Sequence, residues 1–177
     1  MKKYSSYCEY ASSFSLDNVH RIYHDTQYGF PIKSDNELFG RLILEINQAG
    51  LSWTTILKKQ ENFRKSFFDF DIKRIANLNE KNIYLLLSNP GIIRNRLKIY
   101  AVIYNANKII QMNKEYGSFK SWLDYHYPKE IEDWVKLFKR TFKFTGEEIT
   151  KEFLISSGYL KGAHVSSCPI SKVIQEL

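Results

Sequence analysis

The chain has 177 residues, 44% of them hydrophobic and 25% charged, proportions that suit a folded globular protein and exclude a collagen-like, low-complexity or disordered one. Lys and Arg number 26 against 19 Asp and Glu, leaving a formal charge of +7 and a sequence pI near 9.3; that sign suits a phosphate-bearing partner, although many basic proteins have none. No run reaches the ~20 apolar residues a membrane helix needs, and Met1-Lys2-Lys3 is followed by no apolar segment, so the chain reads as cytoplasmic, with no membrane partner.

Residues 1–33 are punctuated by Ser, Gly and Pro and hold one short helical turn, Val19-His20-Arg21-Ile22-Tyr23-His24. Ser34 followed by Glu37 forms a capping box, each side chain accepting the other residue's backbone N–H, and starts a helix with the apolar arc Leu38, Phe39, Leu42, Ile43, Ile46 and Ala49. Glu45 falls on the edge of that arc, where a carboxylate is costly unless something pairs with it. Gly50 breaks the helix and Ser52 caps the next, whose apolar face is Trp53, Ile56, Leu57, Phe63 and Phe67. A carboxylate and an indole therefore flank one tight turn.

Asp71 caps a short helix through Ile72, Ile75 and Leu78, and Asn79 starts another that stops at Ser88-Asn89-Pro90-Gly91. A new helix begins at 95–98 and runs to about Met112, so this stretch reads helix, Pro-Gly hairpin, helix. Short helices follow around Phe119 to Leu123 and, after Pro128, around Ile131 to Phe138; the last substantial one covers 146–155, ahead of a Gly-rich tail. With no period-2 strand pattern, internal repeat or linker, the expected fold is all-α, in a single domain spanning 1–177.

Three features carry chemistry. At the hairpin, Gly91 permits a tight turn, the next helix offers N–H groups to a phosphate oxygen, and Arg94, Arg96 and Lys98 add charge; an ordinary helix connection with solvated basic residues fits the same letters. Cys8 and Cys168 stand near opposite ends of the chain, and an intracellular disulfide between them is not expected, which leaves two separate buried thiols or two ligands of one metal. His164-x3-Cys168 has zinc-type donors, yet a structural His near a buried Cys fits it too. The aromatic share of 15% suits base-stacking surfaces, though core packing accounts for most of it.

Glu45, Gln48-Ala49-Gly50-Leu51-Ser52-Trp53, Leu57-Lys58-Lys59, Glu61-Asn62-Phe63-Arg64, and Ile92-Ile93-Arg94-Asn95-Arg96 with Lys98-Ile99 together resemble the DNA-3-methyladenine glycosylase I family, and the resemblance covers nearly the whole chain. It implies a helix-hairpin-helix glycosylase fold, with that element at about 79–112 holding double-stranded DNA by its backbone. It also implies that the termini, 8–24 and 164–168, join at one structural zinc on Cys8, His24, His164 and Cys168; four protein ligands leave no open position for water. The implied enzyme is monofunctional. It flips N3-methyladenine out of alkylated DNA and hydrolyses its N-glycosidic bond in base excision repair, without a required protein partner.

By the same resemblance, Glu45 is the catalytic and base-binding carboxylate, Tyr23 and Trp53 are aromatic walls, and Gly50-Leu51 is a wedge for the gap left in DNA. Gly91, Ile92, Arg94, Arg96 and Lys98 belong to the DNA-binding hairpin. Tyr10, His20 and Tyr28 join the base-binding set where the family commonly has Trp and Tyr, which bears on the range of lesions. Helix-hairpin-helix glycosylases usually place an Asp on the helix after the hairpin; this chain has none between Asp71 and Asp124, and neither has the family, whose cationic substrate base leaves as a neutral group. The alternative is a zinc-stabilised DNA-binding protein without catalysis. Glu45, Tyr23 and Trp53 count against it, since backbone binding needs none of them.

Overall fold

The computed structural model describes residues 4–177, so the opening Met1-Lys2-Lys3 lies outside it. The regular elements of the described residues are all helical: α1 (Tyr7–Ser12), α2 (Val19–Thr26), α3 (Asp35–Gln48), α4 (Trp53–Ser66), a single 3-10 turn (Phe68–Phe70), α5 (Ile72–Ala76), α6 (Glu80–Ser88), α7 (Arg96–Tyr116), α8 (Phe119–His126), α9 (Ile131–Thr141), α10 (Glu147–Ser156) and α11 (Pro169–Gln175). Among the described residues no helix is long and apolar enough to cross a membrane. Two compact units are present. One is contiguous, Lys33–Phe153, and the other is assembled from the chain up to Ile32 together with Leu154–Leu177.

In the contiguous unit α3 is central, packing on α4, α5, α7 and α8. Of its predicted arc, Leu38, Phe39, Leu42, Ile43 and Ile46 are fully buried, whereas Ala49 is half-buried because it is the C-cap, where the helix has already ended. Ser34 caps it by accepting the Glu37 N–H, but the reciprocal half of the expected capping box is missing. The Glu37 carboxylate instead takes a bidentate pair of bonds from Arg64 on α4, at 2.8 and 2.6 Å. Charge-assisted forked pairing outweighs a single bond to a backbone N–H. The bond to Glu37 holds the Arg64 guanidinium above its ordinary pKa.

Caps set the other boundaries. Ser52, Asp71, Asn79 and Asn95 each accept a backbone N–H from the first turn of α4, α5, α6 and α7. α7 runs one turn past the expected Met112 and stops at Gly117, whose φ of 85° lies in the left-handed region. The Asp35 carboxylate accepts the N–H groups of Phe119 and Lys120, both at 2.9 Å, and fastens the start of α8 to the start of α3.

The 3-10 turn is left-handed. Phe68, Asp69 and Phe70 have φ of 54°, 55° and 60°, each at a cost of roughly 1–2 kcal/mol for an L residue. Burial of Phe70 against α3 offsets that strain, and Gly40 is the notch that admits its ring: a Cβ at Gly40 would stand 2.3 Å from Phe70 Cδ2. Gly40→Ala is therefore expected to destabilise the protein by about 1–3 kcal/mol through overpacking, a fall in Tm of roughly 2–12 °C. Thermal melts of this variant alone and combined with Phe70→Leu check the assignment, since the smaller side chain must restore part of the loss.

The discontinuous unit contains two helices absent from the sequence expectation. α1 is capped by Ser6, and α11 begins with Cys168 as its N-cap and Pro169 at N1. Gly29 ties the two segments together, its N–H reaching Ser156 O at 3.0 Å. A side chain has no room there, because a Cβ would stand 2.5 Å from that of Ala163.

Candidate functional site

In the discontinuous unit, Cys8 on α1, His24 at the end of α2, and His164 and Cys168 before α11 bring one donor atom each to a common point. All four donors lie within 4.8 Å of one another. His24 Nε2 and His164 Nδ1 are 3.1 Å apart, and the sulfur-to-nitrogen separations are 3.6 Å for Cys8–His164 and 3.7 Å for Cys168 to either imidazole. Around one tetrahedral ion with bonds of ~2.0 Å to nitrogen and ~2.3 Å to sulfur, those edges are roughly 3.3 and 3.5 Å. The cluster is able to hold a metal ion, and it joins the N- and C-terminal segments of the unit.

Each imidazole is fixed by its other nitrogen. His24 Nδ1 lies 2.6 Å from Asp25 Oδ1, and His164 Nε2 lies 2.7 Å from Tyr28 O. A ring N–H donated to each oxygen leaves Nε2 of His24 and Nδ1 of His164 as the free ligand atoms, the outer-shell arrangement expected of metal-bound histidines. Burial holds His164 below the usual histidine pKa, favouring the neutral ring, and burial pushes the Cys8 thiol up. Sequence reasoning missed Asp25 as the orienting carboxylate. Its signal was its place directly after His24 and one helical turn from Arg21, whose Nε donates to it at 2.6 Å.

The same unit gathers Tyr10, His20, Tyr23 and Tyr28 in one aromatic cluster with Tyr7 and Phe14. Tyr7 meets His20, Tyr23 and Tyr28 edge-on with ring centroids 5.3–6.4 Å apart, and Phe14 stacks on His20 at 5.8 Å. Such offset and edge geometries are the favourable ones for rings. The Tyr7 hydroxyl stands 3.1 Å from His20 Nδ1. Burial, and next the neighbouring Tyr10, raise the Tyr7 pKa, so the phenol stays neutral. Tyr7, the first residue of α1, and Phe14, just past its C-cap Ser13, were not singled out from the sequence, where they stand in a Ser-rich segment.

In the contiguous unit, Glu45 lies on α3 with 4% of its surface exposed. One turn later the helix ends and the chain reverses through Gly50, at φ 80°, into Trp53, the first residue of α4. The corner is closed from within by Leu51 N–H to Gln48 O at 2.7 Å and Gln48 Nε2 to Leu51 O at 2.9 Å. Leu51 at its tip is exposed, an apolar side chain held on a braced turn.

The hairpin between α6 and α7 belongs to this unit too. Gly91 is required there by crowding and not, as its place in a turn suggests, by a positive φ. A Cβ on it would meet Asn89 Oδ1 at 2.9 Å and the Asn62 side chain at 3.1 Å. Asn89 organises the turn, accepting the Gly91 N–H at 2.7 Å and donating to Ser66 Oγ at 2.9 Å, while Lys59 Nζ donates to Pro90 O at 2.6 Å. Arg94 and Arg96 are exposed, whereas Ile92 is buried. Lys98, grouped with the arginines by sequence, turns inward: it is 6% exposed, and its Nζ donates to Asn47 O at 2.9 Å and Ala49 O at 2.7 Å. Two carbonyls at the C-terminus of α3, unpaired within their own helix, outbid solvent for its ammonium.

Described residues whose regular elements are all helical, with a four-donor cluster buried except at half-buried His164, a carboxylate beside a tight corner and a cationic hairpin, narrow the field, and comparison with known proteins completes it. Residues 13–136 match the family described as methyladenine glycosylase. DNA-3-methyladenine glycosylase 1 of Escherichia coli (strain K12) is 34% identical over 173 residues, covering 87% of this chain and 92% of that protein. The 3-methyladenine DNA glycosylase I of Staphylococcus aureus, whose structure addresses 3-methyladenine recognition, superposes with a TM-score of 0.79 at 31% identity, over 88% of this chain and 93% of that one. A variant 3-methyladenine DNA glycosylase I in complex with 3-methyladenine superposes with a TM-score of 0.80 at 31% identity, over 88% and 94% of the two chains. This chain belongs to the methyladenine glycosylase family.

Proposed function

We propose that this chain is a monofunctional DNA-3-methyladenine glycosylase that extrudes N3-methyladenine from alkylated double-stranded DNA and hydrolyses its N-glycosidic bond. The observation that carries the proposal is the buried Glu45 one turn ahead of the α3–α4 corner, in a chain of this family. Methylation at N3 puts a positive charge on the base, so a carboxylate that accepts its hydrogen bonds, with Trp53 and Tyr23 as aromatic walls, favours it by Coulomb attraction and cation–π contact. The bond breaks with its electron pair on the base, which leaves neutral, and water adds to C1 of the sugar and gives up one proton to solvent. No lysine Schiff base is invoked, and the strand remains uncut. Tyr10, His20 and Tyr28 complete the base-binding set, and Leu51, with Gly50 behind it, fills the gap in the duplex.

The metal is assigned as zinc, which suits two thiolates and two imidazoles in a tetrahedron. With all four positions occupied by protein it is structural. The helix-hairpin-helix element at about 79–112 anchors the duplex through phosphates: Gly91 keeps the turn tight, Ile92 seats it in the core, and Arg94 and Arg96 supply charge beside the first-turn N–H groups of α7.

Release of free 3-methyladenine from methylated DNA by the purified protein tests the central assignment. Duplex binding without release would identify a non-catalytic DNA-binding protein instead. Arg96→Ala is expected to weaken binding to any duplex and to reduce the slope of log affinity against log salt by about 0.9 or less. Titration with the free base accompanies that measurement, because a matching loss there would move Arg96 from the DNA anchor to the pocket.

A further inference from the structure

We infer that Lys98 is a positioning residue: its ammonium, bonded to Asn47 O and Ala49 O, locks the DNA-anchoring hairpin in register with the Gly50-Leu51 corner. This rests on the glycosylase activity proposed above. Lys98 is the third residue of α7, two positions after Arg96, so its backbone moves with the hairpin. Its side chain ends on the last carbonyls of α3, immediately before the corner and one turn beyond Glu45. One side chain thus spans from the element proposed to hold phosphates to the element proposed to enter the base stack.

Two further bonds make this a frame. Lys59 reaches Pro90 O from α4, the helix that Trp53 begins, and Asn89 reaches Ser66 Oγ at the other end of that helix. The hairpin is therefore held by α4 at two points and by α3 through Lys98 alone among these bonds. Burying an ammonium is costly, and burial lowers the Lys98 pKa. An apolar side chain of similar length would fill the space without that cost, so what the charge adds is direction: two charge-assisted bonds that fix how far the corner stands from the hairpin.

For catalysis this distance matters more than affinity does. Phosphate contacts set where the duplex lies, and the corner must then meet the stack at the right place; a misplacement of about 1 Å can cost on the order of 100-fold in rate. The test is Lys98→Met, compared with wild type in four measurements: single-turnover release of 3-methyladenine, affinity for undamaged duplex across salt, affinity for free 3-methyladenine, and backbone hydrogen exchange at residues 49–53. Expected are a fall in excision of about 10- to 100-fold, both affinities within about threefold, and faster exchange at the corner.

Excision within threefold of wild type overturns the role. So does a weakened, less salt-dependent duplex affinity, which would make Lys98 a phosphate contact, and so does a parallel loss of excision and both affinities, which would make it a general stabiliser. Lys98→Gln, which keeps a donor, carries the same comparison if the methionine variant does not fold. A wild-type protein that releases no 3-methyladenine would instead overturn the activity on which the role depends, and that control is read before any variant.

Discussion

Cys168→Ser is expected to leave the purified protein without the one equivalent of zinc proposed for the wild type and to lower its melting temperature by about 10 °C or more. The four donors contribute from both chain segments of the discontinuous unit, so metal binding there is folding free energy for that unit. An ion present at ~1,000 times its Kd stabilises the folded state by about 4 kcal/mol, which for a chain of this size corresponds to roughly 8–16 °C. Serine keeps the shape of the site and still lets Cys168's position cap α11, but its hydroxyl does not replace a thiolate. Metal analysis showing about one equivalent of zinc in wild type and none in the variant, alongside the two melts, checks the expectation. A wild-type protein that carries no metal and melts unchanged after chelation would falsify the assignment. Acidification is expected to release the ion, because protons compete with a metal for thiolate and imidazole ligands.

The second large effect is at Glu45. Glu45→Gln should weaken binding of 3-methyladenine by about one to two orders of magnitude, since a hydrogen bond involving a charged group is worth roughly 1.5–3 kcal/mol. The amide has nearly the volume of the carboxylate, so the buried position on α3 stays filled and the melt should shift little. Glu45→Ala is expected to impair excision as well, while binding of undamaged duplex remains near wild type because it rests on phosphate contacts at the hairpin. An internal structural role predicts the opposite pattern, a lower Tm with little specific loss of base binding. Melts and free-base titration of both variants separate the two, and unchanged base affinity in a folded Glu45→Gln removes the residue from the pocket.

Much of the contiguous unit was legible because its helices announce their starts. Ser34, Ser52, Asp71 and Asn79 were each read as caps and each accepts a first-turn N–H. What escaped depends on partners distant in sequence. Glu37 abandons its local box for Arg64, 27 residues away, and Lys98 turns to α3, about 50 residues away. The left-handed run at Phe68–Phe70 carries neither glycine nor asparagine; only the notch at Gly40 makes it tolerable. Helix α1 has six residues in a Ser-rich stretch and lacks a periodic signal. The metal quartet is a different case. His164-x3-Cys168 is ambiguous by spacing, and only the family resemblance joined it to Cys8 and His24, which the fold then brings within ligand distance.

The discontinuous unit also has a timetable. His24 leaves the ribosome 140 residues ahead of His164, which at about 5–20 residues per second is a wait of roughly 7–28 s. Throughout it Cys8 and His24 have at most two donors to offer an ion, while the contiguous unit, Lys33–Phe153, is made in full before His164 and its helices need only microseconds to form. A metal held by this cluster would thus be a late closure: its coordination is complete only when synthesis has reached Cys168, and a chain stopped short of it leaves its first two donors waiting for partners that never arrive.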